Sequence, residues 1–311
     1  MNILVAADFT PAEWAEWLPA LARALPNETL LRDRAAVALE DIDIAIVANP
    51  PRGVLAGLPR LQLIQSLWAG VDKLLADPTL PPGVPLARMV DPAMNEAMAE
   101  TALWAVLALH RRHFDYARQQ RESHWAPLRQ RRADEVGVAV LGLGQMGRAV
   151  ALRLAANSYR VTGWSAHPTA LPGVNALAGD AHLPTVLANA QVLVNLLPLT
   201  PATRGLLDAQ RLALLPRGAS VVNLARGAHL VEADLLAALA SGHIAHAVLD
   251  VFATEPLPAG HPFWSHPQVT VLPHVAAQTD ARSAAVVVAA NVAALREGRP
   301  PQHLVDRPRA Y

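Results

Sequence analysis

No cysteine occurs among the 311 residues. That absence removes disulfides, thiolate nucleophiles and cysteine-ligated zinc together, and it is compatible with a reducing compartment. Charge of one sign is lacking too: 26 Lys and Arg balance 26 Asp and Glu, for a formal net charge of zero. Bulk electrostatics therefore give no reason to expect nucleic acid or an anionic membrane as a partner. No uncharged apolar run reaches membrane-spanning length. The N-terminal stretch has no basic region, and Asp8 ends its apolar run too early for a secretory signal. Internal repeats and low-complexity tracts are also missing. What is present is a hydrophobic fraction of 52% with 17% charged residues, enough apolar material at this length for two domains with separate cores. The expectation is a soluble, cytoplasmic protein.

The first part of the chain alternates strands and helices, which argues for an open parallel sheet. Ile3–Ala7, Ile42–Val47 and Leu61–Leu67 read as buried strands. Thr10-Pro11 supplies a cap and a first-turn proline, after which Trp14, Trp17, Leu18, Leu21 and Leu25 recur at helical spacing and form a core-facing stripe. Small residues follow the strand at Ser66, in Trp68-Ala69-Gly70 before Val71. A strand-to-helix turn there exposes the N–H groups of Ala69 and Gly70, which suit an anion such as a carboxylate. Asp91-Pro92 then starts a helix from Ala93 to about His113 that is apolar around most of its circumference, and so is buried on several sides. It reads as a bridge between domains and part of a subunit interface. Arg129, Arg131 and Arg132 read as a solvated loop, and His124-Trp125 as a packed one.

The second part opens with Val136–Leu141, a strand, followed by Gly142-Leu143-Gly144-Gln145-Met146-Gly147. These glycines fit the dinucleotide fingerprint: the first makes a tight turn, the second admits a pyrophosphate, the third lets helix and strand approach. The helix N-terminus beyond them favours phosphate. The next strand, Tyr159–Trp164, ends at Ser165, where NAD-binding proteins usually carry an acidic residue for the ribose 2′-hydroxyl. With Ser165 there, nothing repels a 2′-phosphate, so NADP(H) is favoured and NAD(H) stays open. Further strands end at Leu197-Pro198, Leu224, Val251 and Leu272, giving about six in one sheet, and a last helix runs from about Ala281 to Glu297.

Arg226, Glu255 and His274 each follow the C-terminal end of a strand in that sheet. In open α/β sheets this edge borders the ligand crevice. The three residue types match what hydride transfer to a 2-keto acid needs beyond the cofactor. A guanidinium binds and polarises the acid, an imidazole exchanges the proton, and a carboxylate orients the imidazole. The remaining histidines His243, His246, His261 and His266 lack carboxylates at metal-ligand spacing, so no metal site is expected.

The glycine loop, Leu197-Pro198-Leu199-Thr200-Pro201-Ala202-Thr203, Asn223–Gly227, Leu249–Phe252 through Glu255–Pro258 and Pro273–Ala277 together resemble the D-isomer-specific 2-hydroxyacid dehydrogenases. Within that family the Ala69-Gly70-Val71-Asp72 loop, the Leu-Pro-His-Val-Ala-Ala stretch and the Asp306-Arg307 ending near Tyr311 look most like its bacterial glyoxylate/hydroxypyruvate reductases. The resemblance implies an α/β chain of two domains. A Rossmann doubly wound parallel sheet at residues 93–276 takes the cofactor. A flavodoxin-like, discontinuous substrate domain spans 1–92 and is completed by 277–311. It implies Arg226, Glu255 and His274 as catalytic residues, with Trp68, Ala69, Gly70 and Arg226 on the substrate. Gly142, Gly144, Gln145, Met146, Gly147, Ser165, Leu197, Pro198, Thr203 and Asp250 would lie on the cofactor, Asp250 at its carboxamide. Many members have glycine where Trp68 stands, so the indole either narrows the substrate pocket or packs inward. A homodimer using the long helix, and reduction of glyoxylate and hydroxypyruvate to glycolate and D-glycerate, complete the implied picture. The alternatives are a dehydrogenase for another D-2-hydroxy acid and a non-enzymatic NAD(P)H-sensing protein on the same fold.

Overall fold

The computed structural model describes residues 1–309; Tyr311, which entered the resemblance, lies outside the described residues. The chain divides into two units, one of Met1–Met94 with Thr279–Tyr311 and one of Asn95–Gln278.

Unit 1 is built on β1 (Asn2–Ala7), β2 (Thr29–Leu31), β3 (Ile44–Ala48), β4 (Leu63–Ser66) and β5 (Leu86–Ala87), all parallel in the order β2-β1-β3-β4-β5. This is the flavodoxin-like strand order. Every residue of β3 and β4 is buried, as strands covered on both faces are. The helix Pro11–Ala24 starts in a full capping box, with Thr10 Oγ1 accepting from Glu13 N–H and the Glu13 carboxylate accepting from Thr10 N–H at 2.7 Å. It buries Trp17 and Leu21. The helix Ala281–Arg296, capped by Asp280, packs beside it and buries a face that includes Ala284, Val288 and Asn291. Strands β2 and β5 are absent from the sequence reading because three and two residues make no recognisable apolar run.

Unit 2 carries β6 (Gly137–Leu141), β7 (Arg160–Ser165), β8 (Val174–Ala178), β9 (Val192–Asn195), β10 (Ala219–Asn223), β11 (Ile244–Leu249) and β12 (Val269–Val271), parallel throughout in the order β12-β11-β10-β9-β6-β7-β8. It is a doubly wound Rossmann sheet with its strand order reversing at β6. Alternate residues feed opposite layers: Leu141, Leu193 and Val221 pack with the helices Leu183–Ala188 and Glu232–Ala240, while Val140, Val194 and Val222 pack with Met98, Ala102 and Val106 of the long helix. Seven strands stand where the sequence reading gives six; the seventh, β8, is an edge strand with no fully buried residue.

Two local expectations are corrected. The long helix is Pro92–His110 and stops short of His113, because Arg112 takes a left-handed backbone (φ 62°) and a second helix, His113–Arg121, begins. Trp125 is not packed: the chain leaves that helix through Ser123 at φ 52°, and the indole is 96% exposed. Among the described residues, no helix is long and apolar enough to cross a membrane.

Candidate active site

The three glycines of the β6 turn differ in what surrounds them. Gly142 sits at φ +92°, and a Cβ there would lie 2.6 Å from the Leu196 carbonyl oxygen. A Cβ on Gly147 would lie 1.7 Å from the Gly142 oxygen, so the helix Gln145–Ala156 approaches the turn only because that residue is glycine. Gly144, which caps this helix, has open space where its Cβ would be. The protein's own packing explains two of the glycines. The third leaves room above the helix N-terminus, where N–H groups and the helix dipole favour a phosphate. The loop thus fits a dinucleotide. At the end of β7, the Ser165 hydroxyl donates to the His167 carbonyl at 2.6 Å, and no carboxylate adjoins it in sequence.

Beside the glycine turn, β9 and β10 end in two buried asparagines that sequence reading passed over. Asn195 Nδ2 donates to Asn223 Oδ1 at 3.0 Å. Asn195 Oδ1 then accepts from Leu197 N–H at 3.3 Å, and Asn223 Nδ2 donates to the Arg226 carbonyl at 3.0 Å. One amide pair therefore shapes both the Leu197-Pro198 turn and the Arg226 loop. Thr203 Oγ1 closes the former by donating to the Pro198 carbonyl at 2.7 Å. Gly227 lets the Arg226 loop lie against the chain leaving β11, since a Cβ there would fall 1.9 Å from the Phe252 carbonyl carbon.

That same chain brings Glu255 to His274. Glu255 Oε1 accepts from Phe252 N–H at 3.0 Å, and Oε2 lies 2.8 Å from His274 Nδ1. The pairing fixes Nδ1 and turns Nε2 to the opposite side of a ring that is 51% exposed. His274 has a left-handed backbone (φ 56°), uncommon for a residue with a side chain and a form of strain that clusters at functional sites. Asp250, at the foot of this loop, holds it: its two oxygens accept from Val275 N–H at 2.7 Å and Ala276 N–H at 3.0 Å. Burial pushes the Asp250 carboxyl above the usual range, opposed by those two N–H groups and by His274. Arg226, Glu255 and His274 thus all sit on loops leaving the C-terminal ends of adjacent strands β10, β11 and β12.

In unit 1, the loop after β4 is held by Ser66. Its hydroxyl accepts from Trp68 N–H at 3.0 Å and donates to the Trp68 carbonyl at 3.0 Å, which also accepts from Met89 N–H at 3.0 Å. Trp68 is half-buried, its ring set against two other aromatics. The indole stands edge-on to Trp17 at 6.0 Å and to Phe9 at 6.3 Å, with its Nε1 buried and without a partner. Among the described residues, no group of three His, Asp or Glu is placed to hold a metal ion.

The model of the D-isomer specific 2-hydroxyacid dehydrogenase NAD-binding domain matches residues 103–276. The chain belongs to this family. It is 44% identical to a glyoxylate/hydroxypyruvate reductase A from Serratia proteamaculans, covering 98% of both chains, and 42% identical to one from Yersinia enterocolitica, covering 100% of both. A 2-hydroxyacid dehydrogenase of Xanthobacter autotrophicus, solved in complex with NADPH and MES, superposes with a TM-score of 0.95 at 42% identity, over 100% of this chain and 99% of that one. The NADPH-dependent glyoxylate/hydroxypyruvate reductase of Sinorhizobium meliloti, solved with NADP and sulfate, gives 0.93 at 36% identity, over 100% and 99%. The chain is therefore an α/β oxidoreductase of two Rossmann-type units with an NAD(P)-binding domain.

Proposed function

We propose that this protein reduces glyoxylate and hydroxypyruvate to glycolate and D-glycerate, with NADPH preferred over NADH. The observation that carries the reading is the 2.8 Å pairing of His274 Nδ1 with Glu255 Oε2 on the strand edge that also presents Arg226. Full-length likeness to named reductases supports the substrate class. Unit 2 is the cofactor domain in this reading and unit 1 the substrate domain. Bound NADPH would supply the hydride. Gly142, Gly144, Gln145, Met146 and Gly147 would hold its pyrophosphate, Ser165 its 2′-phosphate, and Leu197, Pro198, Thr203 and Asp250 its nicotinamide half.

Arg226 then binds the keto acid through a forked, permanently charged guanidinium and polarises its carbonyl. His274, protonated, delivers a proton from Nε2 to the oxygen that becomes the alkoxide, and takes it back in the reverse direction. Glu255 keeps the ring in the productive orientation and stabilises its charge through Nδ1. The N–H groups of Ala69 and Gly70 on unit 1 serve the substrate carboxylate, with Trp68 as the packed floor of that loop. Loss of NADPH absorbance with a panel of 2-keto acids tests the reading. No turnover with either glyoxylate or hydroxypyruvate would reject it.

The same reading includes a homodimer in the cytoplasm. The helix Pro92–His110 leaves Trp104 and Leu107 on one face, 42% and 39% exposed, and Trp125 lies outside it at 96%. Apolar groups of this size favour burial against a second copy. Light scattering of wild type and Leu107→Glu checks this, a monomeric wild type being the contrary result.

A further inference from the structure

Two amide side chains are buried within the largely apolar interior of unit 1. Gln65, on β4, is 0% exposed, and Asn291, on the helix Ala281–Arg296, is 1% exposed. They are 226 positions apart and meet at 2.7 Å, Asn291 Nδ2 donating to Gln65 Oε1. Gln65 Nε2 donates in turn to the Ser66 carbonyl at 2.9 Å. Asn291 is anchored from behind by the main chain of Gln302, whose N–H donates to Asn291 Oδ1 at 2.7 Å and whose carbonyl accepts from Nδ2 at 3.3 Å. Ser66 then reaches forward, its hydroxyl bridging the N–H and carbonyl of Trp68.

The result is a continuous hydrogen-bonded line from the C-terminal segment through a helix and a central strand to the residue preceding Ala69. Buried amides are unfavourable unless every group is paired, and a leucine at one of the two positions alone would leave the other amide short of its partner. Fully paired networks of this kind fix one geometry and resist the alternatives. Trp68 adds a second restraint from its ring, held edge-on by Phe9 and Trp17 rather than by its own N–H.

We propose that Gln65, Ser66 and Asn291 are positioning residues that set the Trp68–Gly70 loop so that its N–H groups meet the substrate carboxylate. The proposal rests on the assignment of that loop to the keto acid. The residues act through the backbone and touch neither substrate nor cofactor.

Steady-state kinetics with NADPH and glyoxylate test it on the full-length protein. Ser66→Ala should raise KM for the keto acid roughly three- to tenfold, the worth of one or two hydrogen bonds, with kcat and the KM for NADPH within about twofold of wild type. Ser66→Thr, which keeps the hydroxyl, should restore KM. The pair Gln65→Leu with Asn291→Leu separates positioning from packing. The double variant avoids the buried unpaired amide that either single change leaves, so it should melt above Gln65→Leu or Asn291→Leu alone, yet leave the keto-acid KM raised. A double variant with wild-type KM, or Ser66→Ala with wild-type KM, would overturn the proposal. Gly70→Pro, which removes one loop N–H, reports on the underlying assignment. An unchanged keto-acid KM there overturns the assignment and the proposal with it, whereas a raised KM beside silent Ser66 and Gln65/Asn291 variants overturns the proposal alone.

Discussion

Both units are parallel sheets whose loops leave the C-terminal ends of the strands, yet the two edges are made of different chemistry. The unit 2 edge carries ionisable side chains: Arg226, Glu255 and His274, supported by buried Asp250. The unit 1 edge carries aromatic rings and main-chain groups: Phe9, Trp17 and Trp68 around the Ala69-Gly70 turn. Under each edge lies a buried amide pair, Asn195 with Asn223 in one and Gln65 with Asn291 in the other. If the proposed function holds, proton chemistry and anion holding require different side chains at the edge but the same device beneath it. A loop is only as well placed as the polar groups that fix its first residues.

The largest effect expected on the unit 2 edge is at His274. His274→Gln should lower kcat by roughly 10²- to 10⁴-fold, the usual range for loss of a general acid, while NADPH still binds by fluorescence titration. Glu255→Gln should fall less, because the ring remains while its orienting charge is lost. An equal loss in both variants would mean that the pair acts as a unit.

Next come the glycines, which separate packing from ligand binding. Gly147→Ala should be destabilised by about 1–3 kcal/mol or more, since its Cβ would overlap the Gly142 oxygen. Gly144→Ala meets open space and should melt like wild type, with a KM for NADPH raised roughly tenfold or more. Denaturant melts and cofactor titrations of the two variants check this, and a destabilised Gly144→Ala would place that glycine with the other two. At the adenosine end, Ser165→Asp should shift preference from NADPH toward NADH by roughly tenfold, through repulsion of the 2′-phosphate. The ratio of kcat/KM for the two cofactors reads it directly.

A further effect concerns stability away from either edge and leaves catalysis untouched. His246 is buried, stacked on Phe114 at 4.0 Å and bonded to Thr270 Oγ1 at 2.9 Å. Burial lowers its pKa from 6.5 to about 4, with Asp115 opposing and His266 adding to the shift. The unfolded state therefore binds the proton more readily, and stability falls as pH drops from about 6.5 through about 4, by up to about 3 kcal/mol. His246→Gln should flatten that dependence in urea melts at about pH 4.5 and about pH 7. An unchanged pH dependence would assign the acid sensitivity elsewhere.

Much of this molecule was legible because its decisive features are backbone features. Gly142 and Gly147 are dictated by contacts that admit no Cβ, so they stand out as letters. The strand-end positions of Arg226, Glu255 and His274 could be read because buried parallel strands form unbroken apolar runs that end abruptly. Strands β2, β5 and β8 escaped because edge strands need neither length nor two apolar faces. The amide pairs escaped for another reason. Asn195 and Asn223 lie 28 positions apart and Gln65 and Asn291 lie 226 apart, so no local pattern announces either partnership. A polar residue closing an otherwise apolar strand, as Asn195, Asn223 and Gln65-Ser66 do, is the one signal available. For Trp68 the letter alone leaves two orientations open, and its edge-on contacts with Trp17 and Phe9 come from residues too far away in sequence to announce them.

The central claim is that the paired imidazole at the unit 2 edge protonates a reduced keto acid. The most direct test follows NADPH consumption with glyoxylate and hydroxypyruvate by wild type and His274→Gln side by side, after confirming that both bind NADPH equally. The account predicts turnover of both acids by the wild type and near-complete loss in the variant. Undiminished turnover in His274→Gln would contradict it.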